Sequence, residues 1–268
     1  MIVQTAPENA PHFVIEQTDH ARVSGQIARI FGNEDFGSPV PTELVVYTAE
    51  HHDEGWGAID ALREQSPITG LPYHLTQTPL PYLLITSKGS PDFNEQHHPF
   101  CGLLSSMHTY GLFNGRYGLS DFVFIDRVSE EHKTAMLKML GQELERQGRL
   151  KKQLPEAWVA EENLFANYKL LQFFDTLALY FQLSHSKDRV PTSFKNVPDG
   201  RWHDLTLTIT PNPDGTYTLA PWPFSTPELT LTTEGRYLTP QPQGTDFKKI
   251  FEVTPKETQQ YRLVKRDS

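Results

Sequence analysis

Residues 50–56 read EHHDEGW. His52 and Asp53 stand side by side, and both side-chain types bind transition metals, one through an imidazole nitrogen and the other through a carboxylate oxygen. Such a pair also occurs on ordinary solvated helix ends, so its meaning rests on partners elsewhere in the chain. In a helix His51 lies about 100° round from His52, so only one of the two ligates. Glu50 and Glu54 flank the doublet. Either suits a general base or an orienting partner for a ligating histidine, and each equally suits a solvated helix end.

Partners are available. Of the 11 histidines, His20, His51, His52, His74, His97, His98 and His108 belong to one stretch of the chain. His20 precedes Val23 and Ile27 by helical steps. His108 lies inside LLSSMHTYGL, where nothing else is charged. Asp175 is the most informative residue. It interrupts KLLQFFDTLALYFQL, a helical pattern that is apolar nearly all round, and it shares a face with Tyr168, Leu171, Gln172, Leu179 and Gln182. Burying a carboxylate is costly without a cation or a metal. The alternatives are an ion pair, for which Arg22 is a candidate, and a metal ligand. Histidines on several separate helices favour the ligand, because metal sites in helical proteins are built from facing helices.

The elements that must carry these residues follow from periodicity. Residues 17–31 show an amphipathic helix with Val23, Ile27, Ile30 and Phe31 on one side, and residues 42–52 a short one with Thr42 as a candidate cap. Residues 58–95, rich in proline and glycine, read as irregular. Residues 100–113 suit a buried helix, and residues 129–150 form an amphipathic helix with Met136, Leu137, Leu140 and Leu144 as its stripe. Residues 155–184 give the longest helical pattern, with Pro155 in its first turn. The character changes near residue 187. Leu205, Leu207 and Ile209 alternate with polar residues, and further strand patterns fall at 227–237 and 260–264. The expected fold is therefore mainly α: an all-helical metal-binding body over residues 1–186, and a small antiparallel β appendage over 187–268. The segment LAPWPF in the appendage, with Trp222 and Phe224, reads as a hydrophobic plug against the helices.

Hydrophobic residues make up 37% of the 268, enough for a sizeable core, and the formal charge of −9 argues against a broad nucleic-acid grip. Cys101 is the one cysteine, which excludes an intramolecular disulfide and fits a reducing compartment. No apolar run approaches a membrane span, and the N-terminal residues carry no secretory pattern. A cytoplasmic location follows as the expectation, with a homodimer left open.

QTDHARVSGQIA, HHDEGW, LLSSMHTYGL, LLQFFDTLALY and LAPWPF together resemble the bacterial family catalogued as domain of unknown function 3891, over nearly the whole chain. The order of one His, a His-Asp doublet and a late Asp resembles the HD superfamily of metal-dependent phosphohydrolases. That resemblance implies an HD-type helical bundle with His20, His52, Asp53 and Asp175 as ligands to one or two divalent transition-metal ions, Fe, Mn, Ni or Zn. Two-metal members add histidines from mid-chain, for which His74, His98 and His108 are candidates. HPFCG at 98–102 resembles an HPxxG segment of such members and favours His98, whereas its apolar context favours His108. The two lie about 15 Å apart along one continuous helix, so they serve one cluster only if the helix breaks.

The resemblance implies hydrolysis of a small, phosphate-containing substrate, with Asp53 and Glu54 as candidate catalytic residues. Many members carry a lysine where this chain has Trp56. The change removes a cation and adds an aromatic wall; Arg22, Arg63 and Lys88 are the candidate replacements, and Arg22, Trp56 and Tyr110 the candidate substrate contacts. Two alternatives remain open: a di-iron oxygenase of the same type, which needs six ligands, and a degenerate module that binds a ligand without catalysis.

Overall fold

The computed structural model describes residues 1–201 and 203–266. The chain opens with two short strands, β1 (Ile2–Val3) and β2 (His12–Ile15), and enters helix α1 (Gln17–Ile30). Helix α2 (Thr42–His51) is followed by a 3-10 turn at Glu54–Trp56 and a single turn of helix, α3 (Gly57–Asp60). Two helices then meet end to end, α4 (Leu80–His97) and α5 (Pro99–Phe113). After an irregular stretch come α6 (Glu130–Lys151), the short α7 (Glu156–Val159) and α8 (Glu161–Leu183). Strands β3 (Thr192–Pro198), β4 (Asp204–Pro211), β5 (Tyr217–Ala220) and β6 (Glu228–Leu238) precede α9 (Phe247–Val253) and β7 (Glu257–Val264).

The strands form one seven-stranded mixed sheet among the described residues, in the order β1-β2-β6-β7-β5-β4-β3. This corrects the expectation of a mainly α protein with a small antiparallel appendage: the sheet is a full layer, and the helices supply about half of the residues. Both ends of the chain build it. Phe13 of β2 pairs with Tyr237 of β6, and Tyr217 of β5 meets Leu263 of β7 in parallel. The β2–β6 pairing, across more than 200 residues, leaves no local trace, and a two-residue or four-residue strand shows too little alternation to read.

The helices lie against this sheet and share one core with it. Val23 and Ile27 of α1, Phe174 and Phe181 of α8, Leu207 of β4 and Leu231 of β6 are all fully buried in the same cluster. Helix α8 is apolar nearly all round because it is covered on every side, which is the condition such a sequence satisfies. Trp222 and Phe224 do plug the end of α1: Gly32 N–H donates to Pro223 O at 2.9 Å, and Asn33 donates to Trp222 O at 2.8 Å.

Helix α4 replaces the C-terminal part of the stretch read as irregular. Its buried positions are Thr86, Ser87, Ser90, Pro91 and Asn94, so no apolar stripe marks it. Its polar face is instead hydrogen-bonded to the doublet segment. Asn94 donates to His51 O at 2.8 Å, and Ser90 Oγ accepts from Gly55 N–H at 3.0 Å. The join at His98 is a true break. His98 is extended (φ −159°, ψ 143°), and Pro99 starts the next helix.

Candidate metal centre

Four helices bring the candidate ligands together. Helix α1 buries Val23 and Ile27, and His20, one turn earlier on the same side, is carried inward with 1% exposure. Helix α2 ends at His51, and His52 follows it while still helical. Asp53 then turns out of the helix (φ −110°, ψ 18°), which aims consecutive side chains at one point. The turn is held by close backbone packing. A Cβ on Gly55 would lie 2.4 Å from both Thr86 O and Ser90 N of α4, so only glycine fits. Helix α5 supplies His108 and α8 supplies Asp175, both buried.

Donor atoms of His20, His52 and Asp175 lie within 4.8 Å of one another, and so do those of His52, Asp53 and His108. His20 Nε2 is 3.1 Å from Asp175 Oδ1 and 3.9 Å from Asp53 Oδ2. His52 Nε2 is 3.6 Å from Asp53 Oδ2 and 3.9 Å from Asp175 Oδ1. These buried His and Asp groups could hold a metal ion.

The hydrogen bonds behind the cluster fit that use. His52 Nδ1–H donates to Ala49 O at 2.8 Å, which fixes the tautomer and leaves a lone pair on Nε2. That Nε2 is buried without a hydrogen-bond partner among the described residues. An orphaned acceptor aimed at two carboxylates is unfavourable unless a cation sits between them. His20 Nδ1–H donates to Gln182 Oε1 at 2.6 Å. Gln172 places its amide nitrogen 2.6 Å from His108 Nδ1 and leaves its own oxygen buried without a partner. A half-turn of that amide puts the oxygen on Nδ1–H and frees Nε2 as a donor. Gln172, Asp175 and Gln182 thus share one face of α8: one carboxylate in the cluster and two amides that orient histidines.

Protonation is divided unequally. Burial raises the Asp53 carboxyl above its usual range, more than nearby His52 and His20 offset. Burial acts the same way on Asp175, but there the His20 hydrogen bond and the surrounding histidines win and hold it far below that range. Burial disfavours the His20 cation, yet the Asp175 hydrogen bond and the two carboxylates outweigh it and raise its pKa. Burial, with the neighbouring His52, pushes His108 down to about 3, so it is neutral and able to ligate. Two carboxyls driven apart in this way suit different tasks, one as a fixed anion and one as a proton acceptor.

The cluster floors a cavity of about 790 Å³, with His52, Asp53, His108 and Asp175 in its lining. Trp56 forms part of the wall, as the sequence suggested, and Leu83, Phe113, Phe122, Phe124 and Leu179 make much of the rest. Two cations, Arg116 and Arg127, also line it. Sequence reasoning missed both. Arg116 sits in a rare conformation: Gly115, Arg116, Tyr117 and Gly118 all have positive φ, 60°, 50°, 56° and 87°. A left-handed position costs about 1–2 kcal/mol for a residue with a Cβ, so two in a row persist only where packing dictates them. Tyr117 provides that packing. Its ring meets Tyr168 at 5.1 Å, and its hydroxyl bonds Gln147 at 3.3 Å. The signal available in the sequence was G-R-Y-G, a glycine-bracketed turn.

Other sequence candidates lie elsewhere. Glu54 is engaged by His51 Nδ1 at 2.8 Å and does not line the cavity. His98 caps α5, its Nδ1 accepting from Phe100 N–H at 3.0 Å, and His74 accepts from Thr76 N–H at 3.2 Å. Arg22 pairs with Asp19 and with 54% exposure faces solvent. Tyr110 accepts from Asn114 at 2.6 Å and packs on Tyr117.

Fold and site together define a helix-on-sheet protein with a buried His–Asp donor cluster under an apolar, cationic cavity. The family model described as a protein of unknown function, DUF3891, matches residues 1–240, and the chain belongs to that family. No curated protein and no solved structure matches it.

Proposed function

We propose that the protein is a metal-dependent hydrolase of the HD type that acts on a small phosphate ester. The observation that carries this reading is the orphaned His52 Nε2, buried among His20, Asp53, His108 and Asp175 at the floor of a cavity with two arginines. His20, His52, His108 and Asp175 would hold a divalent Fe, Mn, Ni or Zn ion, with Asp53 as a further ligand or as the base. Such an ion supplies Lewis acidity to a phosphoryl oxygen and to water. The chain supplies the rest. Arg116 and Arg127 give the cations that Trp56, in place of a lysine, does not. They bind and orient the phosphate, a task for which the planar guanidinium is suited. Asp53, with its raised pKa, takes the proton from the attacking water. The apolar walls keep other water away. The di-iron oxygenase alternative needs two mid-chain histidines at the cluster, and His74 and His98 are both held elsewhere by local bonds.

The test begins with metal content of freshly purified protein and of Asp53→Ala. It continues with phosphate release from generic phosphomonoesters and diesters under Mn²⁺, Fe²⁺, Ni²⁺ and Zn²⁺. About one or two equivalents of metal, reduced in the variant, with metal-dependent turnover, is the expected result. Bound metal without turnover, together with substrate-dependent O₂ uptake, would replace the hydrolase by the oxygenase. Neither metal binding nor a thermal shift with any of these ions would leave a non-catalytic ligand-binding module.

A further inference from the structure

The cavity is unlike a site for a small, wholly polar ester. Its volume of about 790 Å³ falls in the range of about 300–1,000 Å³ that encloses a drug-sized ligand. Its charged and titratable groups are gathered at the His–Asp floor and at the two arginines, and leucine, phenylalanine and Trp56 share the rest of the lining with serine and threonine side chains. At its rim Leu112 and Phe122 keep 39% and 47% exposure, high for side chains of this size. Arg127 lies over the Phe122 ring at 4.6 Å, so a cation and an exposed apolar face stand side by side.

The arginines are also unusual. Neither Arg116 nor Arg127 has a side-chain hydrogen bond or an ion pair among the described residues, although the chain is acidic overall. Most other arginines are committed: Arg63 and Arg236 share Glu16, and Arg146 binds Glu95 and Glu143. An unpaired guanidinium held into a cavity by a left-handed turn is a group kept for an anion from outside.

We infer that the cavity takes an amphipathic phosphate monoester, with the phosphate between Arg116, Arg127 and the His–Asp floor, and an apolar body along Leu83, Leu112, Phe122, Phe124 and Leu179. The choice of phosphate as the anion rests on the hydrolase reading. The apolar body does not; it rests on the walls alone.

The test uses n-alkylphosphonates, which bind but cannot be hydrolysed at the C–P bond, so recognition is read apart from turnover. Affinity is measured by calorimetry on the full chain for ethyl, hexyl and decyl phosphonate and for decanol, with wild type, Arg116→Met and Arg127→Met. Affinity should rise by about fourfold for each methylene buried. Decanol should bind far more weakly than decylphosphonate. Each arginine variant should lose at least roughly tenfold in phosphonate affinity while its melting temperature stays near wild type, because neither side chain has a hydrogen-bond or ion-pair partner to lose and methionine at 127 keeps an apolar contact with the exposed Phe122 ring. Equal affinity for ethyl and decyl phosphonate would overturn the proposal, as would decanol binding as well as decylphosphonate, or arginine variants that bind like wild type. A graded, arginine-dependent series from a protein that hydrolyses no phosphate ester would support the site while removing the hydrolase reading.

Discussion

Gly55 offers a sharp test of how the doublet is aimed. The residue lies two positions after Asp53 and presses directly on the backbone of α4 (Leu80–His97). In Gly55→Ala the new Cβ would stand 2.4 Å from Thr86 O and Ser90 N and 2.8 Å from Gly89 C. Ordinary contact begins near 3.4 Å, so the two segments must separate by about 1 Å. All three atoms are backbone of a packed helix, and no side-chain rotation relieves them. Overpacking of this kind costs about 1–3 kcal/mol, which for a chain of this length lowers the melting temperature by about 2–10 °C. The separation also moves Asp53 relative to Asp175, whose helix is not displaced. Disturbed support of a metal ligand typically costs about 10–100-fold in affinity, read here by chelator competition with Mn²⁺ or Zn²⁺. Gly57→Ala is the control. Its Cβ would meet only Thr18 Cγ2 at 3.8 Å and should change neither quantity. A Gly55→Ala protein with wild-type melting and wild-type metal affinity would refute the claim that this contact aims the doublet.

Four further outcomes are expected. Gln182→Leu leaves His20 Nδ1–H without its acceptor and should weaken metal binding by about 10–100-fold, measured by the same competition, with an unfolding cost of about 1–3 kcal/mol. Arg116→Gly removes a left-handed strain and should raise unfolding free energy by about 0.5–1 kcal/mol in urea melts, after allowing for the greater freedom of unfolded glycine, while abolishing phosphonate binding. Burial pushes the Cys101 thiol up to about 11, so a disulfide reagent at pH 8 should leave native protein unlabelled and react fully in denaturant. The His20 pKa is raised in the fold, so in chelator-treated protein its pairing with Asp175 contributes stability fully below the unfolded value near 6.5. That contribution is lost as pH rises through the higher folded value. The stability gap between wild type and His20→Asn should therefore shrink from pH 6 to pH 9, and a gap that grows would contradict the assignment.

The sequence by itself singled out His20, His52, Asp53 and Asp175, whose side chains the fold brings together, and most of the helices that carry them. Asp175 was legible because one carboxylate in an apolar helix has no cheap explanation, and His108 for the same reason in LLSSMHTYGL. The helix over 129–150 and the break from helical to alternating patterns near residue 187 were legible. The helix, however, buries Met136, Met139, Leu140 and Leu150 and exposes Leu137 and Leu144, because its neighbours cover a face slightly rotated from the apolar stripe. Helix α4 was not legible, since its buried face is Thr86, Ser87, Ser90 and Asn94, and polar groups satisfied by hydrogen bonds leave no hydrophobic rhythm. The extent of the sheet was not, because β2 pairs with β6 across more than 200 residues and strand pairing is a non-local choice. Only the tertiary structure separated His108 from His98, by breaking the helix at Pro99 and spending the His98 ring on a cap. Only it put Arg116 and Arg127 in the cavity; for Arg116, a left-handed turn pinned by Tyr117 sets the direction of a side chain that sequence spacing leaves free.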